Sequence, residues 1–314
     1  MIYPETLKEG DKVAIISPAS VVNPVFIDSA AAYIGQNGFE PVVMPHAKGP
    51  ACGSYAASMQ DRLSDLLSAW QMPDVKAVLC SRGGYGAVHL LSHIPESLFS
   101  ENPKWLVGFS DISALHAFSL RCGVVSVHGP MARDLNDRHE GGRAVMDILK
   151  NGTLSGYSFG HEESESMPSN RPGTASGKLT GGNLAVLDGL AGTPFDILND
   201  TKEEDCVLFI EDIAEPIYKV ERILYRLYLQ GVFSRVKGLA VGQFTETSSD
   251  RNHLSMERMI ERFLENNGIS GFPVAYGMPV GHFPHNMPVI EGADVILTVD
   301  NSRADMKFIR YLKI

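Results

Sequence analysis

No apolar run in this 314-residue chain approaches the roughly 20 residues that a membrane-spanning helix needs. The opening stretch Met1–Gly10 lacks the charged-then-apolar pattern of a secretory leader. Cysteine is scarce: Cys52, Cys80, Cys122 and Cys206 stand far apart, which excludes a disulfide framework and a thiolate zinc motif. Cys80 closes an apolar run and reads as a buried thiol. Positive charge is in deficit, with a formal net charge of -10, so a nucleic-acid backbone or an anionic membrane is a poor partner. An anionic small substrate stays open, because it needs only one local cation. Internal repeats are absent, and Trp70 and Trp105 are the only tryptophans. These absences lead to the expectation of a cytoplasmic globular protein.

What is present fits that class. Hydrophobic residues make up 44% and charged residues 20%, and the length supports one large or two medium cores. The first half alternates strand and helix. Lys12–Ile16 is a short β-branched run closed by Ser17-Pro18, a helix is expected from Phe26 to Asn37, and Phe39–Met44 reads as a strand. Gln60–Trp70 has helical spacing, with Leu63, Leu66, Leu67 and Trp70 on one face. Strands follow at Val75–Cys80, Trp105–Ser110 and Val124–Val127, with a helical segment at Ala87–Leu91. Such alternation predicts an α/β fold with a mostly parallel sheet and helices on both faces.

The stretch 151–178 is rich in Ser, Gly, Glu and Pro and reads as an interdomain connection. The expected organisation is therefore an N-terminal domain over 1–150, a connection over 151–178 and a smaller C-terminal α/β domain over 179–314. In the latter, strands are expected near Cys206–Ile210, Leu239–Phe244 and Val295–Val299. Helices are expected at Ile217–Gln230 and Met256–Asn266, the first with Val220, Ile223, Leu224 and Leu227 inward and Glu221, Arg222 and Arg226 wet.

Four short segments could carry chemistry. Trp105–His116 reads as a buried strand stopping at Ser110, followed at once by a helix. A serine there projects its hydroxyl beside helix-terminal N–H groups, as a nucleophile requires, or else Ser110 or Asp111 simply caps the helix. Ser81-Arg82-Gly83-Gly84-Tyr85-Gly86 lies between strand and helix without the spacing of a dinucleotide or phosphate loop. It is either a tight turn or a loop donating N–H groups to a developing oxyanion. Glu211-Asp212 ends an apolar strand, where a carboxylate can orient a histidine or merely favour a helix N-terminus. Gly281-His282-Phe283-Pro284-His285-Asn286 holds two histidines, and Pro284 between them argues against a helical metal pair.

Serine, glutamate and histidine occur here in the chain order of a hydrolase triad on an open sheet, but Ile112 stands where G-x-S-x-G would place its second glycine. The chain resembles the LD-carboxypeptidase family of serine peptidases. The resemblance rests on Gly10-Asp11-Lys12-Val13 with Ser17-Pro18-Ala19, Ser81–Gly86, Gly108-Phe109-Ser110-Asp111 and His128-Gly129-Pro130. Further on it rests on Gly181-Gly182-Asn183-Leu184, Glu211-Asp212 with Tyr218 and Arg222, and Gly281-His282. These stretches run in order through nearly the whole chain.

The resemblance implies Ser110 as nucleophile, Glu211 as orienting carboxylate and His282 as general base, with an oxyanion hole from the backbone N–H groups of Gly84 and Asp111. It implies removal of the C-terminal D-alanine from murein tetrapeptides, in cell-wall recycling, by a homodimer that needs no metal or organic cofactor. The family has a glycine after the active histidine; this chain has Phe283, which makes His285 a rival base. A carboxypeptidase must also meet a free carboxylate; Arg82 beside the glycine loop is the expected partner, with Arg133 as a rival, unless either is simply a surface arginine. A relative hydrolysing peptidyl or aminoacyl nucleotides would need an aromatic platform for the base, and both tryptophans sit in expected core elements. A non-catalytic anion-binding module would have no need of the serine, glutamate and histidine together.

Overall fold

The computed structural model describes residues 1–199 and 205–309. In chain order the strands and helices begin with β1 (Lys12–Ile16), α1 (Pro24–Gln36), β2 (Glu40–Val43), α2 (Met59–Gln71), β3 (Val75–Cys80) and α3 (Glu96–Glu101). Then come β4 (Trp105–Gly108), α4 (Ser113–Arg121), β5 (Ser126–His128), α5 (Glu140–Asn151), β6 (Gly156–Gly160), β7 (Gly173–Asn183) and α6 (Leu184–Asp188). The remainder is β8 (Cys206–Ile213), α7 (Ile217–Leu229), β9 (Val236–Thr245), α8 (Met256–Asn266), β10 (Val274–Gly281), β11 (Val289–Glu291), β12 (Asp294–Val299) and β13 (Arg303–Ile309).

Two compact units result, one of Met1–Leu154 with His285–Gly292, the other of Ser155–Pro284 with Ala293–Ile314. The chain thus returns to the first unit for eight residues late in its course, which the sequence reading does not anticipate. Part of the expected connection is sheet: β6 and the start of β7 fall within 151–178. The glycines and serines of this stretch conceal its strands, because backbone pairing rather than side-chain alternation holds them.

The first unit is built on a six-stranded sheet ordered β11-β5-β4-β3-β1-β2. Five strands are parallel, and β11 runs antiparallel on β5. The central runs Val13–Ile16, Ala77–Cys80 and Trp105–Gly108 are buried, as expected of parallel strands covered on both faces. Helix starts carry local caps. The Asn23 side chain accepts from the Val25 N–H ahead of Pro24, and Ser58 accepts from the Asp61 N–H. Trp70 and Trp105 are both core residues, with indole N–H groups donated to the Asn102 and Glu5 carbonyls.

The second unit holds a seven-stranded sheet ordered β10-β9-β8-β7-β12-β13-β6, parallel from β10 to β7 and antiparallel beyond. Helix α7 turns Val220, Ile223, Leu224 and Leu227 inward while Arg222 faces water, so its 3.6-residue period reads directly from the chain. No helix of the described residues is long and apolar enough to cross a membrane.

Candidate active site

Adjacent parallel strands present their following loops at one sheet edge, and this places the first group of residues. β3 and β4 are neighbours, so the Ser81–Gly86 loop after β3 lies against the turn after β4 that carries Ser110. Ser110 has φ +65°, a left-handed conformation that costs a non-glycine residue about 1–2 kcal/mol. Strain of this kind gathers at functional turns, and Ser110 is half-buried at a turn between strand and helix. The capping alternative fails: the cap positions of the short turn Ser110–Ile112 and of α4 are Phe109 and Ile112, and no side chain bonds there.

Glycines let the two loops meet. A Cβ on Gly83 would stand 2.9 Å from the Ser110 Cβ and 3.0 Å from the Asp111 nitrogen. A Cβ on Gly108 would stand 2.9 Å from the Ile112 side chain. Ile112 therefore fills the space above Gly108 that a second glycine would leave open, which accounts for the departure from G-x-S-x-G. The buried Asp111 carboxylate accepts the Ala87 N–H at 2.8 Å, tying the glycine loop to the serine turn. Burial pushes this carboxyl above its ordinary range. Gly84 has φ +98°, and the following Tyr85 N–H donates to the Ser20 hydroxyl at 3.1 Å.

Arg82 is exposed, and its Nη1 donates to the Val21 carbonyl at 2.8 Å. Arg133, with its side chain 70% exposed, pairs with Asp134 at 3.2 Å, so a carboxylate already meets its charge. Tyr55, Tyr85 and His89 form an aromatic group around this loop, with ring centroids 5.2–6.2 Å apart. The sequence leaves tyrosine or phenylalanine open for such a surface without pointing to these rings, which come from two segments, one with Tyr55 and one with Tyr85 and His89.

Glu211 and His282 meet in the second unit. β8 breaks register between Ile210 and Asp212, and this bulge re-aims Glu211. The Glu211 carboxylate is fully buried, and its Oε2 lies 2.9 Å from His282 Nδ1. Two glycines make the approach possible. A Cβ on Gly242 of β9 would stand 3.2 Å from the Glu211 Cβ, and one on Gly281, at φ +127°, would stand 3.0 Å from Oε2. His282 follows β10 at the apex of a tight turn closed by the Phe283 N–H on the Gly281 carbonyl at 3.0 Å. Thr245 Oγ1 donates to the His282 carbonyl at 3.1 Å. Phe283 thus serves this turn in place of glycine, while His285 is an exposed residue of the first unit.

Asp212, beside Glu211, points elsewhere. It accepts from Asn183 Nδ2 at 3.0 Å and the Ala185 N–H at 2.9 Å, and so fastens the start of α6. Burial and the neighbouring Glu211 push its pKa up to about 6. Among the described residues, the one grouping of His, Asp, Glu or Cys with metal-ligand spacing lies elsewhere, at His116, His128 and Glu291.

The first unit holds a strained serine after a parallel strand and the second a buried carboxylate–imidazole pair, each a part that serine hydrolases use. Residues 13–129 match the LD-carboxypeptidase N-terminal domain and residues 176–297 its C-terminal domain, and the chain belongs to this family of serine-type carboxypeptidases. It is similar to a probable murein peptide carboxypeptidase of Bacillus subtilis, 33% identical over 96% of this chain and 93% of that one. A murein tetrapeptide carboxypeptidase of Pseudomonas aeruginosa is 30% identical over 91% of this chain and 92% of that one. The crystal structure of a muramoyltetrapeptide carboxypeptidase from Oxalobacter formigenes has a TM-score of 0.80 at 27% identity, covering 96% of this chain and 99% of that one. The microcin C7 self-immunity protein MccF, solved with aspartyl sulfamoyl adenosine, has a TM-score of 0.84 at 20% identity over the full length of both chains and shares the fold.

Proposed function

We propose that the protein removes the C-terminal D-alanine from murein tetrapeptides through an acyl-enzyme on Ser110. The observation that carries this reading is the 2.9 Å contact of the buried Glu211 Oε2 with His282 Nδ1. A carboxylate can only accept, so Nδ1 holds the hydrogen and Nε2 carries the lone pair that a general base uses.

His282 takes the Ser110 proton as the hydroxyl attacks the carbonyl before D-alanine. Glu211 fixes the tautomer and stabilises the imidazolium. The N–H groups of Gly84 and Asp111 meet the tetrahedral oxyanion, at about 2.7–4 kcal/mol per donor. The imidazolium then returns its proton to the leaving amine. Water, deprotonated by His282, hydrolyses the ester and regenerates Ser110. Arg82 receives the terminal carboxylate, with a guanidinium of which Nη1 alone is engaged on a backbone carbonyl. The same reading places the enzyme in the cytoplasm, as a homodimer acting in cell-wall recycling.

Hydrolysis of peptidyl or aminoacyl nucleotides is the second reading, favoured by the Tyr55, Tyr85 and His89 rings beside the glycine loop, since rings of this kind stack on bases. The relatives at 30% identity or more are named as carboxypeptidases, which supports the peptide substrate. Mass spectrometry of a murein tetrapeptide incubated with the protein tests the choice. Loss of one alanine, abolished in folded Ser110→Ala, is expected. An intact tetrapeptide together with cleavage of an aminoacyl nucleotide would transfer the function to the second reading.

A further inference from the structure

Behind the serine turn lies a polar cluster that the proposed reaction does not use. β5 and β11 pair antiparallel, with Ser126 opposite Glu291 and His128 opposite Val289. Residues directly opposite share a face, as do residues two apart, so Ser126, His128 and Glu291 point to the same side of the sheet. Helix α4 brings His116 onto them: its Nδ1 lies 2.8 Å from the Ser126 hydroxyl, and its ring centroid is 5.8 Å from that of His128. His116, His128 and Glu291 are all at 0% exposure.

Three observations point to an ion. One ligand atom from each of His116, His128 and Glu291 lies within 4.8 Å of the others. His128 Nδ1 and Glu291 Oε1 are 3.4 Å apart. Two ligands on bonds of about 2.0–2.2 Å at a tetrahedral angle stand roughly 3.3–3.6 Å apart, so the His128–Glu291 pair has the spacing of two ligands on one zinc. Finally, both carboxylate oxygens of the wholly buried Glu291 accept no hydrogen bond. Burial holds this carboxyl well above its ordinary range, so it ionises there only beside a positive partner.

The tautomer of His116 agrees. Its Nε2 lies 2.8 Å from the Gly108 carbonyl, which can only accept, so Nε2 carries the hydrogen and Nδ1 the lone pair. A zinc-bound histidine characteristically donates its other ring N–H to a carbonyl in this way. We propose that His116, His128 and Glu291 supply three of the ligands of a buried zinc site that clamps α4, β5 and β11 behind the Ser110 turn. Zinc at His116 Nδ1 takes the lone pair that otherwise accepts the Ser126 hydroxyl hydrogen. Complete burial keeps substrate from the ion, so its role is to hold the sheet edge. Through His116 and Gly108 it also steadies the end of β4, two residues before Ser110.

The test is elemental analysis by inductively coupled plasma mass spectrometry of the full chain, purified without chelator from cells grown with added zinc. About one zinc per chain is expected, falling to background in Glu291→Gln and retained in Ser126→Ala. Zinc at background in the wild type, or equal zinc in Glu291→Gln, would overturn the site. X-ray absorption at the zinc edge of the wild type needs no variant. A shell of nitrogen and oxygen with two imidazoles is expected, and a sulfur ligand or a shell without imidazole would contradict the assignment.

Discussion

Ser110 and His282 each stand just beyond the C-terminal end of a buried parallel strand, yet the chain holds them by different physics. Ser110 is held by its backbone: φ +65°, Gly108 before the turn, Gly83 on the facing loop, and Asp111 bonded across to Ala87. His282 is held by its side chain, through a 2.9 Å contact with a carboxylate that has no access to water. Local sequence encodes the centre of the first device, because Gly108, Ser110 and Ile112 lie within five residues, and the neighbouring loop supplies Gly83 and Ala87. The second depends on groups far apart in the chain, Glu211 at a bulge in β8 and the gaps left by Gly242 and Gly281.

Removing the side-chain device should have the largest effect. Glu211→Gln keeps the shape but can donate to Nδ1, which selects the wrong imidazole tautomer. Turnover of tetrapeptide should fall by roughly 10³- to 10⁴-fold, with KM little changed. Steady-state kinetics would check this, and a loss confined to KM would assign Glu211 to binding instead.

Asp212 sharpens the contrast, because it is a buried carboxylate that serves structure. Its folded pKa, about 6, lies above its ordinary value of 3.8. The folded protein therefore binds more protons than the unfolded chain between these values. The stabilisation is complete below about pH 4 and is lost as pH rises through about 6, amounting to about 3 kcal/mol. Asp212→Asn should flatten this slope, as read from urea midpoints across pH 4 to 7. A wild-type midpoint that rises with pH over this range, and an unchanged slope in the variant, would refute it.

The smallest effect should come from relieving the backbone device. Ser110→Gly removes the left-handed strain while giving the unfolded chain more freedom, so a net gain in stability of about 0.5–1 kcal/mol is expected alongside lost activity. A lower denaturation midpoint in this variant would mean that the turn is not strained.

The same division between local and distant determinants explains how much the sequence disclosed. Val13–Ile16 and Val75–Cys80 declare themselves as buried strands and α7 declares itself by its apolar period, whereas α2 buries Arg62, Asp65, Leu66, Ala69 and Trp70 and leaves the expected Leu63 and Leu67 half-buried. β7 does not declare itself, since four of its eleven residues are glycine. A Cβ on its Gly177 would stand 2.7 Å from the Asp205 carbonyl, so packing against a distant segment dictates the composition. Helix α5 is hidden likewise: Gly141 and Gly142 open it because the Asn286 and Asp134 carbonyls occupy the space of their side chains. Ser110, Glu211 and His282 were named from order and family motifs. The His116–His128–Glu291 cluster was not, because Glu291 reaches β5 only through a three-residue strand from late in the chain.

The central claim is that Ser110 is the nucleophile and His282 its base. Labelling with a fluorophosphonate probe, mapped by peptide mass spectrometry, tests it most directly. The account predicts a single adduct on Ser110 that disappears in folded His282→Ala. Equal labelling of Ser110 in that variant, or an adduct on another residue, would contradict it.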